Sequence, residues 1–182
     1  MVKYNKDKVR KGGAPKMLSK ILSKEECAKC RICCTFDSYD LWETPYINVS
    51  LASKILQEYA PQQEFIKKDS HFLLKMNKEA DQDLYICSLL DQDKGCILGQ
   101  DKPFDCKIWP FRVMSLNGTK VITLSPVCPA LQKKPIGEIT EVAKEIAPEI
   151  FKYANENPEA VKPYLPDYTI LVVEKVSQPS LY

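Results

Sequence analysis

The sequence predicts an α+β fold, a small antiparallel sheet with flanking helices around a cysteine-ligated centre. Three observations lead there. Residues 112–115 and 120–124 flank Asn117-Gly118, a strong hairpin signal. Apolar residues recur at helical spacing at Ile139, Val142, Ala143 and Ile146. Four of the chain's eight cysteines, Cys27, Cys30, Cys33 and Cys34, fall within eight residues, while Cys87, Cys96, Cys106 and Cys128 follow singly. Neither core packing nor chance composition explains that density, so the intervening chain is expected to bring the second group to the first.

At 182 residues the chain is long enough for one domain with its own core, and it does not need a metal merely to stay folded. Its formal charge of +2 is uneven: residues 1–24 hold eight Lys or Arg against Asp7. The predicted organisation is a basic N-terminal arm and lead-in helix over 1–24, then a single cysteine-cluster metal-binding domain over 25–182. No apolar run approaches the roughly 20 residues that span a bilayer, and the N-terminus lacks the apolar core of a secretory signal. A cytoplasmic location is therefore expected. Thiols stay reduced there, so eight cysteines point to metal or redox chemistry. The competing reading is a secreted protein with four disulfides. Adjacent Cys33 and Cys34 weigh against it, because neighbours bridge each other with difficulty. The arm lacks interleaved aromatics and repeated arginines, so nucleic acid is not the expected partner. A protein partner docking on the arm or the C-terminal tail is expected, with a merely solvated arm as the plain alternative.

In chain order, Met17, Leu18, Ile21 and Leu22 follow helical spacing up to Ser23. Ser23 and Glu26 match a capping box, so a further helical turn begins there and carries the cysteines. If it continues, Cys27, Cys30 and Cys34 share one stripe and Cys33 sits to one side; the alternative is an irregular loop wrapped round a cluster. A second helix is predicted from Leu51, Ala52, Ile55, Leu56 and Tyr59, with Ser50 as cap and Pro61 as stop. Residues 71–76 and 83–88 read as two strands joined by a polar turn. The 112–124 hairpin follows. The C-terminal helical pattern is broken or restarted at Pro148 and continues through Ile150, Phe151 and Tyr153. Residues 168–176 read as a last strand, internal or at an edge.

Thiolates are soft ligands that suit zinc, Cu(I) and iron-sulfur clusters. A zinc ribbon brings two Cys-x-x-Cys knuckles together, and here the second knuckle is missing, since 8, 9 and 21 residues separate the later cysteines. Cys27, Cys30 and Cys33 have the spacing of the first three ligands of a bacterial ferredoxin, and Cys128 is followed by Pro129 as the last ferredoxin ligand is. Cys34 departs from that pattern. Asp37 stands where a radical S-adenosylmethionine motif needs a third cysteine, so that reading is discarded. Adjacent side chains diverge, which suggests two sets: Cys27, Cys30, Cys33 and Cys128 for one site, and Cys34, Cys87, Cys96 and Cys106 for a second or partly free set. Lys24, Lys29, Arg31, Lys107 and Arg112 lie near the cysteines in sequence and are candidates to offset thiolate charge, or else ordinary surface cations.

Residues 27–34, taken with Cys87-Ser-Leu-Leu-Asp91, Gly95-Cys96-Ile97 and Pro103-Phe-Asp-Cys106-Lys-Ile-Trp-Pro110-Phe111, resemble the CxxCxxCC cysteine-cluster family, the YkgJ-type zinc- or iron-chelating domain. The resemblance covers residues 27–128, and Lys102 and Lys107 stand where many members have Arg. It implies that the same eight cysteines are metal ligands. A related cluster occurs in a flagellin lysine methylase, yet nothing here matches a glycine-rich cofactor loop, so methyl transfer is an association only.

The expected function is that of a metal-binding protein with a 4Fe-4S iron-sulfur cluster, acting as a redox, sensing or accessory subunit of a larger complex rather than as an independent enzyme. A structural zinc-binding adaptor and a cluster-dependent protein-modifying enzyme are the alternatives. Among other residues, His71 is a candidate ligand but reads first as an ordinary polar residue beside a strand. Trp42, Phe104, Trp109 and Phe111 are candidates to shield a cluster, with core packing the plainer role. Asp91, Asp93 and Asp101 suit turn chemistry better than a hard-metal site.

Overall fold

In the computed structural model, which describes residues 18–38, 44–78 and 83–175, helices and short strands combine as an α+β fold. The basic arm as far as Met17, Trp42, the turn at 79–82 and the tail from Val176 lie outside the described residues. Where apolar spacing predicts a lead-in helix, the described residues form one 3-10 turn, Leu18–Lys20. Ile21 is drawn into the core and Lys20 pairs with Glu145 at 2.7 Å, so tertiary contacts set the path there.

Helix α1, Lys24–Cys30, starts as predicted: the Ser23 hydroxyl accepts from the Glu26 N–H at 3.0 Å. It stops at Arg31, whose φ of 56° is left-handed, and Ile32–Cys34 follow as a 3-10 turn. The continuous stripe through Cys34 is thus corrected. Only Cys27 and Cys30 ride on the helix, because one left-handed residue redirects the chain before Cys33.

Thr35–Phe36 form β1. Helix α2, Val49–Lys54, is capped by Asn48, whose side chain accepts from the Leu51 N–H at 2.8 Å, rather than by the expected Ser50. It runs on as a π turn, Ile55–Tyr59, and ends before Pro61. Strands β2, Phe65–Lys67, and β3, Phe72–Leu74, pair antiparallel. Strand β4, Asn77–Lys78, pairs with β5, Tyr85–Ile86, which also pairs with β1. The predicted strand at 71–76 is therefore shorter, and as β3 it joins β2, while the strand that pairs with β5 is β4, just beyond the predicted span. Strands β6, Leu90–Asp91, and β7, Gly95–Cys96, make a tight hairpin.

Helix α3, Phe104–Ile108, leads into β8, Phe111–Leu116, and β9, Thr119–Leu124. Asn117 and Gly118 have φ of 51° and 81°, the turn their dipeptide predicts. Helix α4, Pro129–Gln132, precedes α5, Ile136–Glu156. Pro148 does not break or restart α5. Burial of Ile139, Val142, Ala143, Ile146, Ala147, Ile150 and Ala154 on one face, at about 1.5–3 kcal/mol for each Ile or Val, outweighs the roughly 3 kcal/mol of an interior proline whose ring stays exposed. Strand β10, Lys162–Pro163, joins β8 in parallel, and β11, Thr169–Val173, forms the opposite edge, giving the order β10-β8-β9-β11. Among the described residues the strands thus form four small sheets, one of them mixed, in place of one antiparallel sheet.

Three apolar clusters result among the described residues, and two of them include or touch cysteines. The first packs α5 on β8 and β9 and includes Ile108 and Cys128. The second gathers Phe36, Ile47, Ile55, Leu74, Leu89 and Leu98, with Cys87 and Cys96 against it. The cysteines packed on apolar residues thus divide between these two clusters, with a seam between them.

Candidate metal centre

The seam is stitched by short-range backbone order. Arg31 N–H donates to the Cys27 carbonyl at 3.2 Å and Cys34 N–H to the Arg31 carbonyl at 2.8 Å, which fixes the bend between the two cysteine pairs. Past the bend, Cys87 N–H donates to the Cys34 carbonyl at 2.9 Å, just beyond the end of the β1–β5 ladder. Leu90 N–H returns to the Cys87 carbonyl at 3.1 Å, and Leu90 then pairs with Cys96. The hairpin closes because Asp91 Oδ1 accepts from Asp93 and Lys94 N–H at 2.9 and 2.8 Å, while Gly95 supplies a φ of 77°. The turn chemistry expected of Asp91 is present.

Arg31 also spans the seam. Its Nε donates to the Ala28 carbonyl at 3.0 Å, and its two terminal nitrogens donate to the Gln92 side chain and carbonyl. One side chain thereby ties the end of α1 to the hairpin that carries Cys96. Trp109 and Arg112 line a small cleft with Cys33, Cys106, Phe36 and Pro45, the guanidinium lying 5.3 Å from the Trp109 ring centroid. Phe104 instead stacks on Tyr153 at 3.8 Å, and Phe111 is fully buried core.

All eight cysteines are free thiols. Cys27 and Cys30 are exposed, Cys128 is buried and the rest are half-buried. Burial pushes the Cys27 thiol up, with Cys33, Cys128 and Cys30 adding to the shift and the Lys102 ammonium opposing it. Burial also raises Cys128; the Leu131 and Ala130 amides oppose this, and Cys30 and Cys33 reinforce it. A hydrogen bond with Cys34, then burial, drives Cys33 far up. For Cys34 the bond with Cys33 acts downward, but the bond with Cys87 and burial outweigh it and push the thiol up to about 12. Cys106 is raised well above the ordinary thiol value by burial, then by Asp105, Cys34, Cys33 and Cys96.

Cys33, Cys128 and Cys30 thus act on Cys27, and Cys33, Cys87 and Cys96 on Cys34, while Cys33 also acts on Cys106, so the interactions cross between the two expected sets. Among the described residues, no three Cys, His, Asp or Glu side chains stand as a group that could hold a metal ion. The thiols are arranged as hydrogen-bonded and electrostatic neighbours. The donor chemistry suits a soft metal, because the interacting groups are sulfur and bind as thiolates.

The cation that acts on these thiols is Lys102. Sequence proximity pointed elsewhere, to Arg31, which is held by Gln92, and Lys107, whose charge acts on Asp101. Lys102 sits in the turn before α3, and only the tertiary path of that turn turns it toward Cys27 and Cys33. Beside it opens a cleft of about 430 Å³ between α3 and α5, lined by Tyr46, Asp101, Lys107, Lys152, Tyr153 and Glu156 among others. Asp101 is paired with Lys54 at 2.8 Å and accepts from the Tyr59 hydroxyl.

A buried polar cluster behind α3 also escaped the sequence. Lys162, 2% exposed, donates to the Thr44 carbonyl at 3.3 Å and lies 4.0 Å from Asp105 Oδ2, which accepts from Tyr46 N–H at 3.0 Å. Tyr46 donates its hydroxyl to Glu159 at 3.3 Å. His71 belongs to this cluster, its ring 5.5 Å from that of Tyr46 and both nitrogens buried without a hydrogen-bond partner among the described residues. Burial, then Lys162, holds its pKa below the ordinary histidine value. Such a cluster leaves no periodic trace in sequence, because its members lie far apart along the chain.

No family model matches the chain, and no curated protein or solved structure matches it. Among the described residues, no helix is long and apolar enough to cross a membrane.

Proposed function

We propose that this chain is a metal-binding protein that carries at least one 4Fe-4S cluster on its cysteines and serves as a redox, sensing or accessory subunit of a larger complex. The observation that carries the reading is the convergence of the remote cysteines on the 27–34 run: Cys128 acts on Cys27, and Cys87 and Cys96 act on Cys34, across long stretches of chain. Cys27, Cys30, Cys33 and Cys128 would hold the cluster, in agreement with the ferredoxin-like spacing and with the cysteine-cluster family that the motifs resemble. Cys34, Cys87, Cys96 and Cys106 would form a second set. A bound cluster supplies one-electron transfer at a potential set by net charge, hydrogen bonds to sulfur and solvent exposure. Around it this chain contributes the Lys102 charge, which favours thiolate over thiol at Cys27 and Cys33, and the Ala130 and Leu131 amides, which do so at Cys128. The cytoplasm is the compartment in which eight reduced thiols persist, and the basic arm and C-terminal tail are the proposed docking segments for a protein partner.

Zinc is the second reading, favoured by the donor set itself, since four thiolates complete a tetrahedral zinc site equally well. Metal and acid-labile sulfide analysis of protein purified without oxygen, with visible and Mössbauer spectra, separates the two. Iron and sulfide in equal amounts are expected. A colourless protein with stoichiometric zinc and no sulfide overturns the iron-sulfur reading.

A further inference from the structure

We propose that Cys34 and Cys87 are a site of reversible oxidation, at which a cross-strand disulfide withdraws both thiols from the second cysteine set. The proposal stands on the strand register; only its consequence for metal uptake rests on the reading above.

Thr35 pairs with Ile86 and Phe36 with Tyr85, and just beyond this ladder Cys34, the last residue of the 3-10 turn, meets Cys87. One backbone bond joins them, 2.9 Å from Cys87 N–H to the Cys34 carbonyl, while Cys34 N–H turns back to Arg31. That bond holds the two backbones side by side, and natural disulfides join Cα atoms about 4.4–6.8 Å apart. The contact sits where the ladder ends, between the 3-10 turn that includes Cys34 and the Cys87–Leu90 turn, so small backbone adjustments disturb little else. Competing bridges are worse placed. Cys33 is adjacent in sequence to Cys34 and a bridge between them strains the peptide, while Cys96 shares its rung with Leu90. Both Cys34 and Cys87 are half-buried, within reach of a small oxidant.

Hydrogen peroxide suffices as co-reactant. The sulfur of Cys87, losing its proton as it reacts, attacks a peroxide oxygen and the O–O bond breaks, leaving a sulfenic acid and, after proton transfer, water. The second thiol attacks that sulfur, the S–O bond breaks, the S–S bond forms and another water leaves. The two sulfurs lose two electrons, which reduce one peroxide to two waters. A dithiol reverses the bridge by exchange.

The test uses the full chain, reduced and stripped with a chelator, treated with stoichiometric hydrogen peroxide, alkylated and mapped as peptides without reduction. A Cys34–Cys87 peptide is expected as the dominant link, abolished by dithiothreitol and by Cys87→Ser but retained in Cys96→Ser. A dominant Cys33–Cys34 or Cys34–Cys96 link, or sulfinic acids with no link, overturns the proposal. Zinc titration of the same reduced chain keeps the two readings apart. A link in a chain that takes up no metal sinks the metal reading and supports this one; metal uptake without a link does the reverse.

Discussion

The guanidinium of Arg31 grips both the side chain and the carbonyl of Gln92, joining the end of α1 to the β6–β7 turn across the seam between the two apolar clusters. The same residue holds the left-handed φ that ends α1. Arg31→Ala loses the grip and keeps the backbone cost, whereas Arg31→Gly loses the grip and relieves it. Charged hydrogen bonds contribute about 1.5–3 kcal/mol each when buried, and less for this half-buried side chain. Both variants are therefore expected to unfold at lower urea, with the glycine variant about 1 kcal/mol the more stable of the two. Equal midpoints would show that the left-handed residue stores no cost.

The cap of α2 separates two neighbouring residues sharply. Asn48→Ala should destabilise by about 1 kcal/mol, because the Leu51 N–H loses its acceptor. Ser50→Ala lies within the helix and should be nearly neutral. Thermal unfolding of the two variants checks this, and the reverse ranking would return the cap to Ser50.

Lys162 is buried against Asp105, so Lys162→Met leaves a largely buried carboxylate without its cation. A loss of about 3 kcal/mol is expected. The double variant Lys162→Met/Asp105→Asn should recover much of it, because an amide tolerates the apolar surroundings while still accepting from Tyr46 N–H. Chemical denaturation of the three proteins gives the coupling, and additive losses would refute the pairing.

The Lys54 ammonium, then the Tyr59 hydroxyl, holds the Asp101 carboxyl below the usual carboxylate range. A depressed folded pKa contributes stability that is full above the unfolded value, about 3.9, and is lost as pH falls through the lower folded one. Asp101→Asn should therefore lose less stability than the parent between neutral and acid pH. The difference should shrink in high salt, since the pair is partly exposed. Urea midpoints near pH 7 and pH 3.5 give the comparison, and parallel losses would refute the assignment.

Features written in contiguous residues were legible in the sequence. The Asn117-Gly118 hairpin, the Ser23 cap and the buried face of α5 each depend on neighbours within a turn or two. Strands of two or three residues, such as β1 and β2, are too short to show alternation. Asn48 prevailed over Ser50 because the helix starts two residues earlier than its apolar positions suggest. Pro148 misled because local propensity is a weak guide where a long face is buried. At the centre, the cysteines drew attention by type and spacing. Lys102 and Gln92 did not, because their roles arise only when distant turns meet.

The thiols that act on one another are also made at different times. Cys27, Cys30 and Cys33 precede Cys128, which acts on Cys27, by nearly a hundred residues. At about 5–20 residues per second, the ribosome adds Cys128 roughly one to four seconds after Cys106, so the contact between the ends of this span is the last of the cysteine contacts to become possible.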